Sequence, residues 1–147
     1  MTRFTLLVFL LAIASISFGQ KITATSIGNP EVLYKENGVS ITAQLTECKN
    51  EERNEIMHFK ILTMTNSNTA PAALKVREDM YYDTDNGQCR TCDNPEYTFN
   101  FNLEAGEVKS GNCYSDSNPA LAVFVSMKDG HYKEVLSDFK MNVVRLH

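Results

Sequence analysis

The sequence has no tryptophan, only three histidines among 147 residues, and no stripe of basic side chains. Its 14 Lys and Arg residues are outnumbered by 18 Asp and Glu residues, which gives a net charge of −4. The missing basic stripe argues against a nucleic-acid partner, and the lack of a polybasic segment argues against docking on an anionic membrane surface. The main apolar run, 6–14, is too short to span a bilayer, which needs about 20 residues.

The N-terminus nevertheless has the three parts of a cleavable secretory signal peptide. Arg3 supplies the positive charge, 6–14 supplies the apolar segment, and Ser17 and Gly19 are small residues at positions −3 and −1 of a cut before Gln20. We therefore predict a signal peptide at 1–19 and one domain at 20–147, either periplasmic or secreted. Removing 19 of 147 residues leaves 128, enough for a single domain with its own core.

Apolar and polar residues alternate with a period of two along much of the chain, which is typical of strands. The clearest run is 97–103, where aromatic residues and Leu103 share one face. Further strands are predicted at 39–46, 57–62, 121–127 and 136–143, and weaker ones at 22–27, 32–34, 72–77 and 107–113. A helical turn at 132–139 is a less favoured alternative. About seven short strands predict an all-β, antiparallel sandwich of immunoglobulin-like architecture, without the tryptophan that is typical of that fold.

Four cysteines lie in the predicted domain: Cys48, Cys89, Cys92 and Cys113. An even number in an exported chain favours disulfide bonds, because the compartment is oxidising. Following the strands up and down the sandwich brings all four sulfurs to one end. Pairing Cys89 and Cys92 outward, to Cys48 and Cys113, closes the longer loops and is preferred. The alternative is a local Cys89–Cys92 bond together with Cys48–Cys113.

The same four cysteines also permit a second kind of site. Cys89-Arg90-Thr91-Cys92 has zinc-knuckle spacing, and Cys48 and Cys113 would complete four thiolate ligands. A second C-x-x-C is missing, and no helix follows the first one, as a thioredoxin-like redox motif requires. The segment 83–87 resembles the start of a calcium loop, but its glycine comes one place early and no Glu stands at position 12. We therefore expect no metal and no cofactor.

Catalysis has little support in the sequence. His58 is predicted on the solvent face of a strand, His131 in a tight turn, and His147 is the last residue. None has a serine or cysteine nucleophile in a recognisable context, so we do not expect an enzyme.

One apolar pattern suggests a partner. Five residues are predicted on strand faces opposite the main core residues: Leu62, Met64, Phe124, Val144 and Leu146. Either these strands are covered on both faces, or the residues form an exposed patch that contacts a protein or glycan partner.

A series of residues extends along nearly the whole predicted domain: Asn37-Gly38-Val39, Cys48, Tyr81-Tyr82, Gly87-x-Cys89-x-x-Cys92, Glu96-Tyr97, Gly106, Cys113, 121–124 and Phe139. In this order the chain is similar to small exported proteins of Bacteroidota. The resemblance implies export and a cysteine framework, but it transfers no active site. The predicted function is a non-catalytic exported binding or structural module, and the alternative is a zinc-binding or thiol-redox protein that uses the four cysteines.

Overall fold

A computed structural model describes residues 21–113, 118–128 and 132–146. The predicted signal peptide at 1–19 lies outside these ranges, and so do His131 and His147. The Asp129-Gly130 turn predicted between the last two strands also lies outside them.

The described residues form nine strands in two antiparallel sheets, which confirms the predicted β-sandwich. The strands are β1 (Ile22–Ser26), β2 (Glu31–Glu36), β3 (Val39–Asn50), β4 (Glu55–Asn66), β5 (Ala72–Tyr82), β6 (Thr98–Leu103), β7 (Val108–Ser110), β8 (Ala122–Met127) and β9 (Leu136–Leu146). The large sheet contains β1, β2, β3, β4, β7 and β8, and the small sheet has the order β6-β5-β9. The segment after residue 135 is a strand rather than a helical turn.

Two long strands organise the large sheet. β3 and β4 pair along their whole lengths, from Val39 opposite Asn66 to Asn50 opposite Glu55. The free edge of β3 is shared by β1 and β2, and the free edge of β4 is shared by β7 and β8. β2 and β3 are joined by the Asn37-Gly38 turn, in which both residues have positive φ, 46° and 74°. This is the turn expected for a two-residue hairpin.

The core lies between the sheets and corrects part of the predicted partner surface. Leu62 and Met64 are fully buried members of this core rather than residues of an outer patch. Leu62 lies opposite Ala43, and Met64 lies opposite Ile41. Residues directly opposite each other in an antiparallel pair share a face, so the strand register turns both side chains inward.

The other three residues of the predicted patch also lie in different environments. Phe124 is half-buried and packs against the core. Val144 and Leu146 are 58% and 42% exposed, and alternation along β9 places them on the face opposite Val143, which is partly buried and packs against the core. The five residues therefore form no single patch; only Val144 and Leu146 remain as exposed candidates.

Candidate functional site

The four cysteines form two disulfides, as expected, but in the less favoured pairing. Cys48 is bonded to Cys113, and Cys89 is bonded to Cys92. Cys48 belongs to β3 of the large sheet, and Cys113 follows β7 of the same sheet. Cys89 forms an isolated bridge with Tyr81 of the small sheet. The preferred outward pairing was wrong because the two halves of the framework belong to different sheets.

A four-thiolate zinc site does not fit this arrangement. Among the described residues, the potential metal ligands that come together are Asp79, Cys89 and Cys92, without Cys48 or Cys113. The four sulfurs therefore do not form one set of metal ligands, and their predicted position at one end of the sandwich stays a prediction.

The loop around the second disulfide is anchored by a buried threonine. Thr91 is 1% exposed, and its Oγ1 donates to the Glu78 carbonyl at 2.6 Å while it accepts from the Met80 N–H at 2.8 Å. The Cys92 N–H lies 3.1 Å from Cys89 Sγ. Thr91 thus fixes the C-x-x-C segment against β5.

The segment 83–87 is a polar turn and not a calcium loop. Asp85 accepts two hydrogen bonds from Arg90, at 2.8 and 2.9 Å, and Asp83 accepts from the Val135 N–H at 2.9 Å. Arg90 also bonds Glu134 at 2.8 Å and lies 4.3 Å from the centre of the Tyr82 ring. The carboxylates that would bind calcium are therefore already paired, and the ion pair with Arg90 holds the pKa of Asp85 below its usual value.

A Ser–His–Glu array was missed by the sequence analysis. His58 is half-buried rather than solvent-facing, with Nδ1 3.1 Å from Ser126 Oγ and Nε2 3.5 Å from Glu47 Oε2. The array arises from register, since His58 lies opposite Glu47 on one side and Ser126 on the other. Lys128 Nζ also lies 3.5 Å from Glu47. The strand pairing of β4 with β8, which the sequence does not reveal, would have been needed to find it.

The most unusual group in the core is the carboxyl of Glu78. β5 buries its even-numbered residues in the core, among them Val76 and Met80, and alternation places Glu78 on that same face. Glu78 is 1% exposed, and its Oε1 is buried with no hydrogen-bond partner. Burial raises the pKa of this carboxyl to about 8, so it is mostly protonated at neutral pH.

A pocket of about 370 Å³ opens beside Glu78 between the two sheets. It lies between β6 and β8, which are edge strands of the small and the large sheet. Each of these strands is preceded by a short 3₁₀ turn that begins with proline, Pro95–Tyr97 and Pro119–Leu121. Besides Glu78 the lining comprises Met80, Tyr82, Glu96, Tyr97, Phe99, Pro119, Ala122, Val123 and Phe124. Its size and its apolar wall with one buried polar group match those of small-molecule sites.

Among the described residues two other buried polar side-chain atoms lack a partner, and neither residue lines this pocket. They are Asn50 Nδ2 and Glu55 Oε2, on residues that face each other at the end of the β3–β4 hairpin. Glu78 therefore differs from them, because its unpartnered oxygen belongs to a residue that lines a cavity.

Two neighbouring concave surfaces are weaker candidates for a ligand site than the pocket beside Glu78. A second pocket of about 370 Å³ lies beyond Tyr82 and Phe124, but its charged residues, Arg90 and Glu134, already pair with each other. Val144 and Leu146 line an open groove on the outer face of the small sheet, beside polar residues of the same sheet. A contact of Val144 and Leu146 with a protein or glycan partner stays a prediction.

Comparison of the chain with protein-family models, curated proteins and solved structures gives no match in any of the three. Within the part of the chain that the structure describes, no helix is long and apolar enough to cross a membrane.

Proposed function

We propose that this protein is a non-catalytic binding module outside the cytoplasm, and that it binds its ligand in the pocket beside Glu78. The observation that carries the proposal is that Glu78, whose buried Oε1 has no hydrogen-bond partner, is one of the residues that line that pocket. Leaving a buried polar group without a partner costs about 1–3 kcal/mol. A ligand with a matching polar group would recover that cost on binding, so the pocket is better suited to an occupied state.

The cellular location is part of the same proposal. Two disulfides are typical of proteins in an oxidising compartment, and the predicted signal peptide at 1–19 would direct the chain there. Periplasmic or secreted location and kinship with small exported proteins of Bacteroidota belong to the proposal as well.

The test is a titration that uses methionine methyl groups as reporters. Met80 lines the pocket, whereas Met64 is buried in the core outside it. Protein with both disulfides formed and ¹³C-labelled methionine methyls is titrated with small cationic, neutral and anionic probes of equal length. We expect at least one class to shift the Met80 methyl signal in a saturable way, while the Met64 signal stays in place. If no class moves Met80 at millimolar concentration, the pocket is not a binding site and the proposal fails.

A second candidate function is thiol–disulfide exchange at Cys89–Cys92. It is favoured by the position of Asp79, a 5% exposed carboxylate whose oxygen lies within 4.8 Å of both sulfurs. A partner dithiol would reduce Cys89–Cys92 to two thiols and would itself become a disulfide, so that two electrons and two protons pass to this protein.

Alkylation under graded thiol concentrations tests this candidate. Redox activity predicts that Cys89 and Cys92 become alkylatable in the native protein, while Cys48–Cys113 remains bonded. Asp79→Asn should then slow the exchange. If neither bond is reduced without denaturant, the candidate is wrong and both disulfides are structural.

A further inference from the structure

We propose that the pocket beside Glu78 selects a primary ammonium group carried on an apolar stem. This inference rests on the proposed function, because it names the ligand class of the same site. It is supported by the charge of the lining, by its aromatic rings, and by the acceptor atoms that two lining residues carry.

The charge of the lining is one-sided. The described residues that line the pocket include two carboxyl groups, Glu78 and the exposed Glu96, and none of these described residues is Lys, Arg or His. The nearby cation Arg90 is bound to Asp85 and Glu134 and does not line this pocket. Once Glu78 is ionised, such a site repels anions and favours a cation, since no described residue of its wall offers a counter-charge to a carboxylate or phosphate.

Four aromatic residues line the same pocket: Tyr97, Phe99, Phe124 and Tyr82, of which Tyr82 already has Arg90 4.3 Å from its ring centre. The face of an aromatic ring attracts a cation through its quadrupole, and the attraction grows when water is excluded. The same rings pack well against a hydrocarbon stem. An ammonium group on an apolar stem uses both properties, whereas a strongly hydrated inorganic cation uses only the first.

Two acceptor atoms match the donors of an ammonium group. Glu78 Oε1 has no partner, and the hydroxyl of Tyr82 already donates to the Phe124 carbonyl at 3.1 Å, which leaves its oxygen free to accept. A primary ammonium has three donors, so these two oxygens satisfy part of the set. The volume of about 370 Å³ holds about a dozen non-hydrogen atoms at roughly 30 Å³ each. A six-carbon stem with its ammonium group therefore fits.

The selection has a distinctive pH dependence. An ammonium pairs with Glu78 only when the carboxyl is ionised, and burial keeps it protonated up to about pH 8. The other titratable groups among the described residues of the lining are Tyr82, Glu96 and Tyr97. The residue opposite Glu78 on β9 is Met141, and the lining residue from β6 is Phe99. The affinity for the ammonium should therefore rise about tenfold for each unit by which the pH increases toward 8. Above pH 8 it should stay constant until the amine itself loses its proton near pH 10.

Calorimetric and methyl-shift titrations at pH 6, 7, 8 and 9 test the inference with three probes of equal stem length: n-hexylammonium, 1-hexanol and hexanoate. We expect only hexylammonium to bind, and to bind more tightly at pH 8 than at pH 6. Glu78→Gln should weaken binding at pH 9 by about tenfold or more, because it removes a charged hydrogen-bond acceptor. Glu52→Gln, on an exposed turn residue, is the matched control and should bind as the wild type does.

A fourth probe distinguishes two sources of the same chemistry. A peptide with one lysine and an acetylated N-terminus presents the ammonium as a protein would. Binding of the peptide as tightly as hexylammonium assigns the pocket to a lysine side chain of a partner, and binding of hexylammonium alone assigns it to a free amine.

The negative outcomes distinguish a failure of cation selection from a failure of the binding site itself. If 1-hexanol binds as tightly as hexylammonium, or if hexylammonium binding is independent of pH or of Glu78→Gln, cation selection is wrong while the binding site stands. If no probe moves the Met80 signal, both the cation selection and the proposed binding function are wrong.

Discussion

The carboxyl of Glu78 gives this protein a stability profile that falls as the pH rises. In the folded protein burial raises its pKa from 4.5 to about 8, so the folded state holds a proton that the unfolded chain has released. The free energy of unfolding therefore decreases as pH rises between these two values and levels off above pH 8. Each pKa unit corresponds to about 1.4 kcal/mol, so this one group should lower the stability by roughly 3–4 kcal/mol between pH 5 and pH 8.

Glu78→Gln isolates that contribution. Glutamine has nearly the same shape but cannot ionise, so it carries a constant cost for its own buried amide, about 1–3 kcal/mol. The variant should be the less stable protein at pH 5 and should gain on the wild type by roughly 3–4 kcal/mol by pH 8. Urea unfolding followed by far-UV circular dichroism at pH 5, 6.5 and 8, with the disulfides intact, measures the difference.

The exposed Glu52 provides the control, because Glu52→Gln should leave the pH dependence of the wild type unchanged. A stability difference between wild type and Glu78→Gln that stays the same, within about 1 kcal/mol, at all three pH values would refute a raised pKa for Glu78. That result would mean that the carboxyl is ionised in the fold or has reached solvent.

Three further comparisons test the fold by the same unfolding assay. Replacing Cys48 and Cys113 by serine opens a loop with a sequence separation of 65 and should lower the free energy of unfolding by about 4 kcal/mol. Removing the other disulfide, whose cysteines are three positions apart, should lower it by about 2 kcal/mol. Equal losses of stability would contradict the dependence on loop length. Thr91→Val leaves two buried backbone groups of β5 unpaired and should cost about 2–3 kcal/mol, and a neutral result would show that water replaces the hydroxyl. Gly38→Ala places a methyl group against the Asn68 side chain at a φ of +74° and should cost about 1 kcal/mol or more, whereas unchanged stability would show that the turn adapts.

The sequence predicts strands well and strand faces poorly, and β4 shows why. Apolar residues stand at both parities of this strand, at Met57, Phe59 and Ile61 and again at Leu62 and Met64. Period-two alternation cannot choose between the two sets. The choice is made by register, since Ile41 and Ala43 of β3 face the core and their partners on β4 are Met64 and Leu62.

Glu78 was missed for a related reason. The predicted strand ended at residue 77, although β5 continues to Tyr82. Continuing the alternation from Leu74 and Val76 through Met80 would have placed the carboxyl on the buried face. A polar residue at a core position is normally taken as the end of a strand, because burying it is unfavourable; a functional site is where that rule is expected to fail.

The cysteine pairing could not be derived from the sequence because it depends on which sheet each segment joins. Cys48 and Cys113 are both tied to the large sheet, whereas the segment 89–92 bridges to Tyr81 of the small sheet. The even number of cysteines predicted disulfides, and the preference for long loops then selected the wrong pairing. Sheet membership is a property of the whole fold and outweighs loop length here.

The most direct test of the binding site is the titration of the Glu78 side-chain carboxyl by ¹³C NMR, with and without saturating n-hexylammonium. We predict a pKa near 8 in the free protein, and a fall of about two units or more when the cation is bound, because a nearby opposite charge favours the ionised form and a tenfold rise in affinity per pH unit below pH 8 requires a shift of that size. A pKa near the ordinary value of 4.5, or a raised pKa that does not respond to the ammonium probe, would contradict the account.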